Sequence, residues 1–122
     1  MEAIITKDDA NGIVRAFVRG NLDGTTAGKF EKSIIDLIGM EEKNFFIDLK
    51  ETEYITSAAL RSFLVIGKLL KIKRGFIAIF NIKEAVRQVF DIMNFGSLFL
   101  LCDNETAVMS EFEKHLSEKK KR

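Results

Sequence analysis

The stretch 44–75 constrains the fold of this chain more than any other part of the sequence. It opens with an apolar run, Phe45–Leu49, passes through a polar loop, and from Ser57 onward carries large apolar residues three and four positions apart. An apolar run is typical of a buried strand, whereas spacings of three and four are the period of a helix. Gly75 ends the helical pattern, and a second apolar run, Phe76–Phe80, follows. The stretch therefore predicts a strand, a loop, a helix and a strand, and strands that are apolar on both faces are typical of parallel sheets covered by helices.

Similar patterns on both sides of this stretch extend the alternation of strands and helices. The further predicted elements are a hairpin of strands at Ile4–Lys7 and Ile13–Arg19, helices at Thr25–Ile38 and Lys83–Met93, a strand at Leu98–Cys102, and a last helix to about Leu116. The order is ββαβαβαβα, which predicts an α/β fold with a mixed, mostly parallel sheet. A chain of 122 residues is expected to form one domain. We assign residues 1–116 to that domain and residues 117–122 to a basic, solvated tail.

Several polar residues stand where predicted helices begin. Asp23 or Thr25 can cap the helix that follows them, because Asp and Thr side chains accept hydrogen bonds from the first free N–H groups. Asn81 begins a sequence that resembles a capping box. Asp103 or Asn104 can cap the last helix.

Charge and cysteine content exclude several classes of protein. The formal net charge is +1, so bulk electrostatics favour neither nucleic acid nor an acidic substrate. Cys102 is the single cysteine and lies in an apolar run, which predicts a buried, reduced thiol and a cytoplasmic setting. The N-terminus lacks the apolar segment of a signal peptide. The helical stretch Ser57–Ile72 is interrupted by charges and is shorter than a membrane span, so we expect no membrane insertion.

Ser57 stands where a predicted strand gives way to a helix. The carboxyl ends of parallel strands share one edge of the sheet, where open α/β sheets bind their ligands. This edge should gather Asp23, Thr25, the loop 50–57 and Asn81. The free N–H groups and partial positive charge of the helix start make a phosphate on Ser57 well placed. A serine at a helix start is also a common N-cap, and that alternative needs no phosphate.

Four local matches, in the same order along the chain, resemble the STAS domain of bacterial anti-sigma factor antagonists. They are Gly20-Asn21-Leu22-Asp23 with Thr26-Ala27, the strand Phe46–Leu49 with the loop and helix start Tyr54–Leu60, Asn81-Ile82 with Val86–Phe90, and Gly96–Phe99. The resemblance covers nearly the whole chain and implies a single STAS-type domain. The chain departs from the family pattern at Thr56, where the family has aspartate, and at Ala58-Ala59, where it has Ser-Gly.

The resemblance also implies a function. Members of this family are phosphorylated on a serine that matches Ser57 by a partner that is both a serine protein kinase and an anti-sigma factor. A serine phosphatase removes the phosphate, and the unphosphorylated domain binds the kinase and so releases a sigma factor. Thr56 is the alternative phosphorylation site, and Asp23 matches an acidic residue of the family's first loop. The surface expected to bind the partner comprises Asp23, Thr25, Glu53, Thr56, Ser57, Ala58 and Arg61.

Other functions have weaker support in the sequence. We expect Phe63 and Ile66 to lie on different sides of their helix, so that one side is partly uncovered and available for docking. His115 has no evident catalytic or metal-binding companion and there is no phosphate-binding P-loop, so we expect no enzyme activity, cofactor or metal. The departures at Thr56 and Ala59 motivate an alternative, a scaffolding STAS subunit of a transporter or signalling assembly without phosphorylation. A nucleotide-binding protein is a third hypothesis, and the oligomeric state stays open.

Overall fold

The computed structural model describes residues 1–97 and 99–120, and within them the predicted α/β order is confirmed. The elements are β1 (Glu2–Asp8), β2 (Ile13–Arg19), α1 (Ala27–Gly39), β3 (Asn44–Glu51), α2 (Ser57–Ile72), β4 (Phe76–Phe80), α3 (Glu84–Ile92), a short 3-10 turn (Phe95–Ser97), β5 (Leu100–Cys102) and α4 (Glu105–Lys120). The predicted hairpin, central helix and fourth strand therefore have the expected positions.

The strands form one five-stranded sheet in the order β1-β2-β3-β4-β5. β1 runs antiparallel to β2 with Ile5 opposite Ala16, and the pairs β2–β3, β3–β4 and β4–β5 are all parallel. Each parallel crossover advances by one strand in the same direction, and crossovers share one hand. Helices α1, α2 and α3 therefore pack on the same face of the sheet, whereas α4 covers the other face.

Two apolar cores lie on the two faces of the sheet. The larger core joins α1, α2 and α3 to the strands, and its buried aromatic rings include Phe30, Phe63 and Phe90. The smaller core lies under α4, where Phe112 packs against Phe46 and Phe76. Fully burying a side chain of this size contributes about 1.5–3 kcal/mol to folding, so these rings account for much of the stability of the domain.

The structure corrects the expectation that one side of α2 would be uncovered at Phe63 or Ile66. Both side chains are fully buried. Residues three positions apart lie on neighbouring rows of the same helix face, so both face the core. The apolar side chains of α2 that are exposed are Val65 and Ile72.

Element ends differ from the sequence prediction by a few residues. α1 begins at Ala27 rather than Thr25, and β5 begins at Leu100 rather than Leu98, which lies outside the described residues. α4 continues to Lys120, four residues past Leu116, so residues 117–120 of the predicted tail are helical. Lys121 and Arg122 lie outside the described residues.

Cys102 confirms the prediction of a buried, free thiol. Burial raises the pKa of the Cys102 thiol, and the nearby carboxylates of Glu111 and Asp103 raise it further. The thiol is therefore neutral and unreactive in the folded protein. Within residues 1–97 and 99–120, no helix is both long enough and apolar enough to span a membrane.

Candidate functional site

Two loops at the carboxyl edge of the sheet are joined side by side. The first loop, residues 20–26, follows β2, and the second, residues 52–56, leads from β3 to α2. Leu22 and Ile55 form an isolated parallel bridge, and the N–H of Thr56 donates to the carbonyl of Leu22 at 3.0 Å. We call these two segments the rim loops. Their pairing brings the residues on either side of Leu22 and Thr56, which include Asp23 and Ser57, to the same edge of the sheet.

Asn21 connects the rim loops through its side chain. Its Oδ1 accepts hydrogen bonds from the N–H groups of Glu53 at 2.9 Å and Tyr54 at 3.0 Å. Its own carbonyl accepts a bond of 2.8 Å from the hydroxyl of Thr26. Sequence reasoning gave Asn21 no role of its own, because it depends on a loop more than thirty residues away that only the fold brings near.

Asp23 organises the first rim loop with its carboxylate. Oδ1 accepts hydrogen bonds from the hydroxyl and the N–H of Thr25, both at 2.8 Å, and from the N–H of Thr26 at 3.1 Å. The bond from the Thr25 hydroxyl, followed by that from the Thr25 N–H, holds the pKa of Asp23 below its ordinary value. The N-cap position of α1 belongs to Thr26, so the prediction that Asp23 or Thr25 caps this helix is wrong. Asp23 instead holds the turn before α1, and Thr25 donates to it.

Ser57 is the first residue of α2, and its side chain is exposed. The N-cap position belongs to Thr56, so the alternative in which Ser57 is the N-cap is wrong. The first N–H that bonds within the helix is that of Leu60, which donates to the carbonyl of Thr56 at 3.2 Å. Within residues 1–97 and 99–120, the N–H groups of residues 57–59 have no acceptor, as is usual at a helix start.

Thr56, unlike Ser57, does not present its hydroxyl to the solvent. Its hydroxyl is buried, makes no capping bond, and has no hydrogen-bond partner among the described residues. A kinase needs an accessible hydroxyl, so of the two candidate residues only Ser57 presents one at the surface.

Charged side chains surround Ser57 on the same edge. Glu53 is exposed and forms an ion pair with Lys83, which stands just before α3. Arg61 lies one helical turn after Ser57, on the same side of α2, and forms no ion pair with any residue of 1–97 or 99–120. Ala58 is half-buried, and Tyr54 is 49% exposed. Sequence reasoning did not assign Tyr54 to the site, although an exposed aromatic residue is a common anchor in protein interfaces.

Asn81 does not cap α3, contrary to the prediction of a capping box. Its backbone is left-handed, with φ of +54°, and its side chain donates to Oδ1 of Asp48 at 3.2 Å. Asn tolerates this backbone conformation better than most residues. The N-cap position belongs to Lys83, which makes no side-chain capping bond. Asn81 therefore connects the ends of β3 and β4 beneath the site.

The described residues contain no cluster of three His, Cys, Asp or Glu side chains that could hold a metal ion. The site therefore consists of an exposed hydroxyl at a helix start, a charged Asp23, and a rim with an aromatic side chain and both signs of charge. These groups provide a docking surface and a position for a phosphate.

Comparison with known proteins identifies the family to which this chain belongs. The chain is 29% identical over 109 residues to BtrV of Bordetella bronchiseptica, which is named as a candidate anti-sigma factor antagonist, and the match covers 89% of this chain and 94% of BtrV. The fold is similar to that of a candidate anti-sigma factor antagonist from Thermotoga maritima, with a TM-score of 0.84, 23% identity, and coverage of 89% of this chain and 92% of that one.

A further similar structure is SpoIIAA, also an anti-sigma factor antagonist. Its unphosphorylated form matches with a TM-score of 0.72, 14% identity, and coverage of 92% of this chain and 98% of that one. The phosphorylated form, from Bacillus, matches with a TM-score of 0.69 and 15% identity, over 89% and 98% of the two chains. The STAS domain model matches residues 4–108 of this chain, which spans β1 to the start of α4. The chain therefore belongs to the STAS domain family, and its relatives are anti-sigma factor antagonists.

Proposed function

We propose that this chain is an anti-sigma factor antagonist, a non-catalytic cytoplasmic protein that binds an anti-sigma factor with serine kinase activity. In this proposal the kinase phosphorylates Ser57, the phosphorylated chain releases the kinase, and a serine phosphatase restores binding. The observation that carries the proposal is the exposed Ser57 hydroxyl at the start of α2, beside the paired rim loops. The name of BtrV and the two forms of SpoIIAA support it.

A phosphate on Ser57 is compatible with the fold. It adds about −1.5 to −2 units of charge and three acceptor oxygens. The N–H groups of residues 57–59 and the positive end of the α2 dipole favour negative charge at this position, by about 0.3–1 kcal/mol at an exposed helix start. Arg61, one turn along the helix, is placed to attract the phosphate as well. The domain therefore keeps its structure when it is phosphorylated.

The effect of the phosphate falls on the partner. The docking surface centred on Ser57 also presents Asp23, Glu53 and Tyr54. A partner that fits closely over this surface has to accommodate a bulky dianion next to the carboxylates of Asp23 and Glu53. Each loss of about 1.4 kcal/mol weakens binding tenfold, so a modest mismatch releases the partner.

The test compares three variants with wild type, using the serine kinase that copurifies with the chain from its own cells. We expect the kinase and ATP to add one phosphate to wild type and to Thr56→Val, and none to Ser57→Ala, as read by intact-mass spectrometry. Thr56→Val is the matched control, because it removes a hydroxyl that is buried and unpaired. Ser57→Asp should bind the kinase at least about tenfold more weakly than Ser57→Ala, as measured by calorimetry.

Two outcomes would contradict the proposal. One is equal binding of wild type, Ser57→Ala and Ser57→Asp to the kinase. The other is recovery of a transporter ATPase subunit and no kinase from the source cells, which would favour a scaffolding STAS subunit instead.

A further inference from the structure

A second concave site lies at the opposite end of the molecule from Ser57. It is a cavity of about 520 Å³ lined by Lys71, Arg74, Gly75, His115, Glu118 and Lys119. These residues come from the last turn of α2, the turn into β4, and the last turns of α4. Ser57 and Lys71 are at the two ends of the same helix, which places the cavity about 20 Å from the rim loops.

The cavity is strongly basic for a protein with almost no net charge. Three cationic side chains line it, against the single carboxylate of Glu118. Lys119 donates to the carbonyl of Arg74 at 3.0 Å, so it has a structural role at the end of a helix. The charged groups of Lys71 and Arg74, in contrast, have no carboxylate or carbonyl partner within residues 1–97 and 99–120. Their positions are therefore not explained by contacts inside the domain.

The turn that carries Arg74 is fixed by its backbone. Arg74 has a left-handed backbone with φ of +58°, and the N–H of Gly75 donates to the carbonyl of Leu70 at 2.8 Å. A Cβ at Gly75 would collide with the carbonyl of Lys43, so the turn needs glycine there. Arg74 thus projects from a turn whose backbone is constrained, so this part of the backbone does not have to be ordered when a ligand binds.

His115 contributes an imidazole ring to the wall of this cavity. Its ring packs against Phe76 and Phe112, and its Nε2 is buried without a hydrogen-bond partner among the described residues. Burial lowers the pKa of His115, the positive charge of Lys119 lowers it further, and Glu118 opposes this shift. The charged groups that line the cavity with His115 are Lys71 of α2, Arg74 of the turn, and Glu118 and Lys119 of α4.

We propose that this cavity binds a phosphate-bearing anion, held by Lys71 and Arg74 with Lys119 beside them. A phosphate group has the charge to match the excess of cations and enough acceptor oxygens for several donors, and the guanidinium of Arg74 can bind two of them at once. The phosphate can belong to a soluble compound or to a lipid headgroup. The site is independent of Ser57 and of the function proposed for the rim loops.

The first test is calorimetric titration of the full chain with inorganic pyrophosphate at low salt. We expect binding that becomes at least about tenfold weaker in Lys71→Gln and in Arg74→Asn, since each removes a charge-assisted contact. Asn is chosen at position 74 because it tolerates the left-handed backbone. Lys7→Gln, in exposed β1, removes the same charge as Lys71→Gln and should leave affinity unchanged.

The second readout uses His115, which is the single histidine of the chain. A bound anion favours the imidazolium form, so pyrophosphate should raise the pKa of His115 in wild type, as measured from its imidazole proton resonance. The same increase should be absent in Arg74→Asn. A parallel experiment measures cosedimentation with phosphatidylcholine vesicles with or without phosphatidic acid. The ligand is a lipid phosphate if the chain binds the vesicles that contain phosphatidic acid, if the same two variants weaken this binding, and if pyrophosphate does not bind.

The proposal is overturned if neither pyrophosphate nor the acidic vesicles bind. It is also overturned if Lys7→Gln weakens binding as much as Lys71→Gln and Arg74→Asn do, because the attraction would then come from overall charge and not from the cavity.

Discussion

At the scale of single residues, the carboxylate of Asp23 determines the shape of the first rim loop. It accepts bonds from the backbone N–H groups of Thr25 and Thr26 and from the hydroxyl of Thr25. Hydrogen bonds to an ionised acceptor are about twice as strong as neutral ones. The loop that presents the proposed docking surface therefore depends on the negative charge of Asp23.

This dependence predicts how stability changes with pH. The pKa of Asp23 is lower in the folded state than its ordinary value, so its charge stabilises the fold above the ordinary carboxyl pKa. That contribution is lost as the pH falls through the lowered folded pKa. We expect Asp23→Asn to be less stable than wild type near neutral pH, with the difference closing in strong acid, as measured by urea unfolding at a series of pH values.

Asp9→Asn is the matched control for this experiment. Asp9 is exposed and makes no hydrogen bond or ion pair within residues 1–97 and 99–120, so its substitution should change stability little at any pH. A stability difference for Asp23→Asn that stays constant down to strong acid would contradict the role given to the charge.

At the scale of elements, α2 packs closely against a buried aromatic ring at Gly67. A Cβ built at this position would lie 2.7 Å from Cζ of Phe99, which is buried in the larger core. Glycine normally costs a helix interior about 0.5–1 kcal/mol relative to alanine. The close approach of Phe99 therefore explains why α2 carries a glycine in its interior.

We predict opposite effects for two glycine-to-alanine substitutions. Gly67→Ala should destabilise the domain by about 1–3 kcal/mol, because the ring of Phe99 has to move in a packed core. Gly28→Ala in α1 should stabilise it by about 0.5–1 kcal/mol, since nothing lies within 4 Å of the added Cβ. Chemical denaturation measures both changes, and stabilisation by Gly67→Ala would show that the helix and Phe99 are not packed as described.

The elements were predictable from sequence because their signals are local. The apolar runs and helical spacings of residues 44–80 identified β3, α2 and β4 within two residues of their ends. Asn81 was misassigned because the spacing of a capping box is also compatible with a left-handed residue that bonds to Asp48 on the neighbouring strand. That choice depends on sheet pairing, which the spacing does not contain.

The candidate site was predictable only where its features depend on local sequence. The position of Ser57 at a helix start follows from local pattern, as does the sharing of an edge by the loops after β2 and β3. The bonds of Asn21 to Glu53 and Tyr54, and the burial of the Thr56 hydroxyl, depend on contacts between loops far apart in sequence.

At the scale of the whole molecule, the two faces of the sheet are covered by different sets of helices. Helix α2, which begins at Ser57, belongs to the face covered by three helices, whereas α4 alone covers the other face. Phe112 is the central contact of α4, with ring centroids 5.5 Å from Phe46 and 5.1 Å from Phe76. Changes under α4 should therefore affect stability without altering the docking surface.

We expect Phe112→Ala to reduce the free energy of unfolding by about 3–5 kcal/mol, because it leaves a cavity between α4 and the sheet. Leu116→Ala, in the same helix at a position that is 39% exposed, should cost much less. Thermal unfolding of both variants measures the difference in their stability. At a temperature where Phe112→Ala is folded, its affinity for the proposed kinase should equal that of wild type, and a loss of affinity would show that the two faces are coupled.

The order of the strands in the sheet is the order of the strands in the chain. Each new strand therefore pairs with the one synthesised just before it, and the sheet can grow from its β1 edge as the polypeptide leaves the ribosome. Pairing between neighbours in sequence keeps the contact order lower than pairing between more distant strands would, although each parallel pair still requires a long crossover. Among the described elements, α4 is the helix that covers the apolar rings of Phe46 and Phe76. A nascent chain that stalls before α4 leaves that face bare, and apolar surface exposed in this way is prone to aggregation.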